Sequence, residues 1–194
     1  MVADRARFTR EQLESYRDTT VPDLLGPRLR LLFVGINPGL WTAAVQAHFA
    51  RRGNRFYPAL HRSGLTDRLI DASSGYTDDD RRHLLDRGIG ITNLAHRATA
   101  RADELDPAEL VRGAGQLDQL VARRGPRVVA FLGITAYRTA FRLPRARTGP
   151  QEQNLHDAQV WVLPNPSGLN AGTQLPELAE QFRRAGIAAG IFQN

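Results

Sequence analysis

The chain has 194 residues, about the size of one large domain, and its 42% hydrophobic and 24% charged residues exclude a disordered or collagen-like polypeptide. It contains no cysteine and no lysine, so all 26 basic residues are arginine. This excludes disulfides, thiolate zinc sites, iron–sulfur clusters, a cysteine nucleophile, a Schiff-base lysine and a Walker-type phosphate loop. The formal charge of +6 and a pI of about 10.8 leave two readings open: arginine scattered over a solvated surface, or an anionic partner such as nucleic acid.

The first 20 or so residues read as a polar amphipathic helical extension carrying Phe8, Leu13 and Tyr16, and residues 21–194 as one domain. Four apolar runs then read as strands: Leu29–Ile36, Gly88–Leu94, Arg127–Gly133 and Ala158–Pro164. Three are nearly continuous rather than alternating, as in parallel sheets covered on both faces. Helical patterns alternate with them at Asn54–Ser63, Asp78–Arg87, Pro107–Arg124, Ile134–Phe141 and Leu175–Ala185, and Gly39–Arg52 reads as a loop. Asp106 is placed to cap the longest helix, with Pro107 at its first position. This alternation predicts an α/β/α sandwich around a mostly parallel four-stranded sheet.

Two loops concentrate the chemistry. The first strand runs into Gly35-Ile36-Asn37-Pro38-Gly39, and the fourth into Asn165-Pro166-Ser167-Gly168-Leu169-Asn170. Ligands of open parallel sheets bind outside the carboxyl ends of the strands, so both Asn-Pro turns belong to one edge. Between them, Pro38 to Thr66 holds no acidic residue but includes Trp41, His48, Phe49, Arg51, Arg52, Arg55, Phe56 and Tyr57. Basic residues interleaved with aromatics suit a surface that holds phosphate and stacks a base. Phe56 fits the core face of the following helix, whereas Phe49 falls in the loop.

On VGINPGL, GNRFYPAL, ITNLAHR and WVLPNPSGLN, the chain resembles the mismatch-specific uracil/thymine-DNA glycosylases, a branch of the uracil-DNA glycosylase superfamily. The resemblance runs from about Val21 to Ala185 and implies an α/β/α sandwich with a four-stranded parallel sheet. It also implies hydrolysis of the N-glycosidic bond of a uracil flipped out of a G·U mismatch in double-stranded DNA, with thymine and other damaged pyrimidines accepted more weakly. The base must leave the stack to be reached.

Carried over residue by residue, the resemblance makes Asn37 the catalytic, water-positioning asparagine. It makes Phe49 the ring that stacks on the base and Leu169 the wedge that fills the gap left in the duplex. Gly35 and Ile36 bring backbone groups to the base pocket, His48 reaches the base or a phosphate, and Asn93 reads the pyrimidine edge. Thr42 meets the C5 side of the base, where a thymine methyl would be crowded. Asn165 stands where more distant relatives carry a histidine, and Ser167, Gly168 and Asn170 approach the orphaned guanine. Arg52, Arg55 and Arg97, with Arg145 and Arg147 as further candidates, are expected to hold phosphates around the mouth.

Without lysine the enzyme is expected to be monofunctional, leaving an intact abasic site. No cofactor and no metal are expected, since the histidines at 48, 61, 83, 96 and 156 are dispersed. The start of the chain lacks the apolar core of a signal peptide and no run is long enough to span a bilayer, so a cytoplasmic, nucleoid-associated monomer is the expectation. A nucleotide-cofactor protein would want G-x-G-x-x-G where this chain has Gly35-Ile36-Asn37-Pro38-Gly39. A protein that binds mismatched or damaged DNA without hydrolysis would keep the basic mouth and Leu169 but would not need Asn37.

Overall fold

The structure, a computed structural model, describes residues 7–168 and 172–192. Helix α1 (Arg10–Glu14) is followed by β1 (Leu31–Gly35), α2 (Leu40–Val45), α3 (Phe56–Arg62), α4 (Asp78–Asp86) and β2 (Ile89–Asn93). Then come α5 (Pro107–Arg124), β3 (Val128–Leu132), α6 (Ile134–Phe141), β4 (Gly149–Pro150), β5 (Gln159–Leu163) and α7 (Leu175–Ala188). The strands lie in the order β2-β1-β3-β5-β4, and all pairings are parallel except β4 with β5.

The sheet therefore has five strands rather than the expected four. The extra one, β4, is two residues long and pairs Gly149 with Val162 and Pro150 with Trp161. Too short to show alternation and containing a proline that only an edge tolerates, it carries no strand pattern in sequence. A second difference is α2, which forms where the chain reads as loop. The N-terminal helix is also shorter than expected, at five residues. It is fixed by a capping box in which Thr9 Oγ1 accepts the Gln12 amide at 3.1 Å, and Leu13 and Tyr16 pack against a cluster of Val21, Leu40, Ala43 and Ala98.

Every residue of β1, β2 and β3 is buried, which is why β1 and β3 read as unbroken apolar runs. On one face, Leu31, Phe33, Ile89, Ile91 and Leu163 meet Phe56 and Leu60 of α3, Leu84 of α4 and Phe182 of α7. On the other, Leu32, Val34, Val129, Phe131 and Val162 meet α5 and α6 through Leu110, Leu117, Val121, Ala136 and Tyr137. Helix α5 has the expected boundaries: Asp106 accepts the Ala108 amide at 2.7 Å and Pro107 occupies the first turn.

The pairing register sets the site. In-phase parallel strands end together, so Gly35 lies beside Asn93, and Leu132 of β3 beside Leu163 of β5. The loops that follow all leave from one edge.

Phe182 centres the packing on the α3/α7 face, fully buried with ring centroids 4.9 Å from Phe33 and 5.6 Å from Phe56. Phe182→Ala is expected to lower stability by about 3–5 kcal/mol in urea unfolding. A loss below about 1 kcal/mol would mean that this contact does not anchor the face.

Candidate active site

At the carboxyl edge, the turns after β1, β2 and β5 enclose a cavity of about 390 Å³. Gly35, Ile36, Asn37, Thr42, His48, Phe49, Asn93, Asn165 and Ser167 all line it, so the structure gathers most of the expected pocket from four separate segments.

Asn37 stands where β1 gives way to α2. Its Nδ2 donates to Thr99 Oγ1 at 2.7 Å and to the Arg97 carbonyl at 3.0 Å, and Thr99 Oγ1 in turn donates to the Arg101 carbonyl at 2.7 Å. The Thr99 amide also donates to the Pro38 carbonyl at 3.1 Å. Both amide protons of Asn37 are thus engaged on the protein side, and Oδ1 is left as its acceptor for a water or hydroxyl in the cavity. Thr99, buried and in irregular chain, was not singled out in the sequence. A threonine in a loop gives no pattern, and its role appears only once β1 and the segment after β2 lie side by side.

His48 and Asn93 form a second fixed pair. His48 is 1% exposed, with Nε2 donating to the Pro22 carbonyl at 3.0 Å. A carbonyl can only accept, so the proton is on Nε2 and Nδ1 is bare. Asn93 Nδ2 donates to that Nδ1 at 3.3 Å, which fixes the orientation of the amide. His48 is therefore a buried support for Asn93 and not a free group reaching for a phosphate. Burial holds its imidazole below the usual range, against the opposing pull of the Pro22 carbonyl.

Phe49 forms the floor. Its ring stacks on Phe56 with centroids 4.2 Å apart, and Phe56 itself is fully buried core. Phe49 takes a left-handed backbone, φ 55°, a conformation worth on the order of 1–3 kcal/mol of strain in a bulky residue. The preceding residue is held by the Tyr57 hydroxyl, which donates to the His48 carbonyl at 2.7 Å. Tyr57 is buried beside Tyr76, and this raises its phenol well above the ordinary value. Gly35 is required by the same packing: a Cβ there would run into Asn93 Oδ1 and lie 3.2 Å from Phe49 Cζ.

The last loop is built on Asn165, whose Oδ1 accepts the Ser167 amide at 2.9 Å. It rests on the start of α3, where the Arg55 amide donates to the Pro166 carbonyl at 2.9 Å. Gly168 packs so closely on Gly53 that a Cβ would stand 2.7 Å from the Gly53 carbonyl oxygen. Leu169 and Asn170 lie outside the described residues.

The arginines divide. Arg55 donates to the Ser167 carbonyl at 3.0 Å and to the Thr173 carbonyl, bracing the loop rather than standing at the mouth. Arg97 bonds both oxygens of Glu109, at 2.6 and 2.9 Å, and Asp18 at 3.0 Å. Its hydrogen bonds hold the Glu109 carboxyl down to about 2, and this engagement argues against the phosphate contact expected of Arg97. Arg145 and Arg147 line a separate groove with Tyr137. Arg52 is exposed beside the site, while Arg51, Asn54, Arg101 and Asp103 line the cavity itself. Among the described residues no group of histidines and carboxylates could hold a metal ion.

The fold and site define an α/β/α protein with a pocket at the carboxyl edge of its sheet, where asparagine amides and an aromatic ring share the wall with charged side chains. The family model of the uracil DNA glycosylase superfamily matches residues 22–185, and the chain belongs to that superfamily, whose members are DNA glycosylases, hydrolases that act on DNA. Among solved structures, the chain is similar to a provisionally assigned uracil DNA glycosylase from Methanosarcina acetivorans, determined by solution NMR. The TM-score is 0.57 at 19% identity, covering 86% of this chain and 96% of that one, a likeness of fold.

The buried imidazole makes stability depend on pH. Unfolded, it takes its proton near pH 6.5; folded, it does so only at lower pH. Below about pH 6.5 the unfolded state therefore binds the extra proton and stability falls with pH, by at most about 1.4 kcal/mol per unit, until the folded value is reached. Urea unfolding from pH 7.5 down to 5 should show this loss in the wild type and a shallower one in His48→Gln. Parallel pH profiles would contradict the buried neutral histidine.

Proposed function

We propose that the protein is a monofunctional DNA glycosylase that hydrolyses the N-glycosidic bond of uracil flipped out of G·U mismatches in double-stranded DNA and so initiates base-excision repair, with thymine and other damaged pyrimidines cut more weakly. The observation that carries this reading is the fixed amide of Asn37, with Nδ2 tied to Thr99 and the Arg97 carbonyl and Oδ1 left for a water. It stands on the wall of a cavity that also holds Phe49 and Asn93.

An amide is too weak a base to make hydroxide from water, so the carbon–nitrogen bond must break largely before attack. Its electron pair goes to the base nitrogen, giving an anionic pyrimidine and an oxocarbenium-like sugar. Water oriented by Asn37 Oδ1 then adds its oxygen to C1′ and loses a proton to solvent. Stabilising the departing anion falls to hydrogen-bond donors of the loops after β1 and β5, with neutral Asn165 on that side of the cavity. Asn93, with its amide held by His48, has the donor and acceptor that a pyrimidine edge requires. Flipping costs a few kcal/mol and costs least for a mismatched base, which favours G·U over A·U. With no lysine in the sequence, no side-chain amine is available for a strand-cutting Schiff base.

The test is a gel assay on duplexes carrying G·U, A·U or G·T, and on single-stranded uracil DNA, with abasic products revealed by alkali. Strong cutting of G·U, weak cutting of A·U and single strands, and no strand break before alkali are expected. Asn37→Ala should lose about 100-fold or more in rate while still binding the duplex. Binding without cutting by the wild type on every uracil substrate would instead support a damage-binding protein.

Thr42 is 5% exposed and lines the same cavity, which supports the reading that its β-branched side chain meets the C5 side of the base. Crowding by a methyl costs about 1–3 kcal/mol, so Thr42→Ala should raise G·T cutting relative to G·U by about tenfold. An unchanged ratio would remove Thr42 from substrate choice.

A further inference from the structure

A second cavity, of about 460 Å³, opens between α1 and the turn into α2. Arg10 of α1, Trp41 at the start of α2, and Arg51 and Arg52 all line it. Its single carboxylate, Glu14, is paired with Arg17 at 2.8 Å. No described carboxylate pairs with Arg10, Arg51 or Arg52, and all three are exposed. Three guanidinium groups thus share one groove whose single carboxylate is already paired with Arg17.

The groove adjoins the base pocket: Gly39, Arg51 and Ala100 line both. It is also firmly built. Phe8 meets the Trp41 ring edge-on at 5.1 Å, the Trp41 indole N–H donates to the Ser73 carbonyl at 2.9 Å, and Arg17 pairs with Glu104 across the base of α1. These contacts fix α1, which carries Arg10, against the segment that carries Trp41.

We propose that this groove binds the sugar–phosphate backbone of the damaged strand next to the flipped nucleotide, with Arg10, Arg51 and Arg52 on successive phosphates, so that α1 is part of the DNA site. The inference rests on the glycosylase reading above. A nucleotide in the pocket stays joined to its neighbours, and its chain must leave by the pocket mouth. Each DNA strand carries one negative charge per roughly 3.4 Å of rise, and the arginine groove offers cations to that strand beside the pocket. Guanidinium groups grip phosphate oxygens with paired N–H donors, and such contacts position the strand without reading its sequence.

The test is the salt dependence of binding to a fluorescein-labelled G·U duplex, followed by anisotropy. Each phosphate contact contributes about 0.9 to the slope of log K against log salt. Arg10→Gln should lower that slope by about 0.9, and the triple variant Arg10→Gln/Arg51→Gln/Arg52→Gln by about 2.7. Arg145→Gln/Arg147→Gln, with two positive charges removed from the separate groove, should leave it unchanged. A slope unmoved in the groove variants, or lowered equally per charge in the control pair, overturns the proposal. Uracil excision by the wild type is scored in parallel: excision with an unmoved slope refutes the groove alone. A slope lowered only by the groove variants, without excision of any uracil substrate, supports the groove and refutes the glycosylase reading.

Discussion

Burial of the sheet on both faces limits where this protein can present polar chemistry. The backbone groups of β1, β3 and β5 are paired with neighbouring strands, and their side chains are enclosed by α3 and α7 on one side and α5 and α6 on the other. Polar side chains are accommodated where strands end. Parallel pairing in step, Gly35 beside Asn93 and Leu132 beside Leu163, brings those ends together at one edge. The cavity follows from that geometry, and so does the convergence on it of segments far apart in the chain.

Oriented amides stand on the wall of the cavity. Asn37 and Asn93 each have their Nδ2 committed to a fixed partner, Thr99 in one case and His48 in the other. These partners convert freely rotating amides into oriented ones, and orientation decides whether a ligand meets a donor or an acceptor. An amide is also a very weak base, which limits the proton chemistry open to Asn37 and Asn93. A site of this kind favours a reaction in which bond cleavage runs ahead of nucleophilic attack.

Arg51 and Arg101 stand on the pocket lining, and the arginines around the site serve two purposes. Arg55 and Arg97 hold protein segments together, Arg55 through the carbonyls of Ser167 and Thr173 and Arg97 through Glu109 and Asp18. Arg10, Arg51 and Arg52 line an open groove with no described carboxylate for a partner. Net charge alone does not distinguish these roles, because an arginine paired across the fold counts the same as an exposed one.

The sequence by itself determined the layered architecture. Unbroken apolar runs such as Leu31–Gly35 are strands buried on both faces, and Asp106 with Pro107 marks the start of α5 by local chemistry alone. It also carried the superfamily, through two Asn-Pro turns that become neighbours in space. Local patterns could not reveal β4, two residues at an edge, nor α2, whose Leu40–Val45 forms where Gly39 caps without a side-chain bond. Only the tertiary structure decided the partners of individual polar groups. His48 reads in sequence as a loop residue and becomes buried because Pro22 and Asn93 close over it, while Thr99 gains its place when the segment after β2 meets Asn37. Periodicity records which face of an element is apolar; a hydrogen bond between distant residues depends on where two loops end, and that is settled when the sheet brings their strands into register.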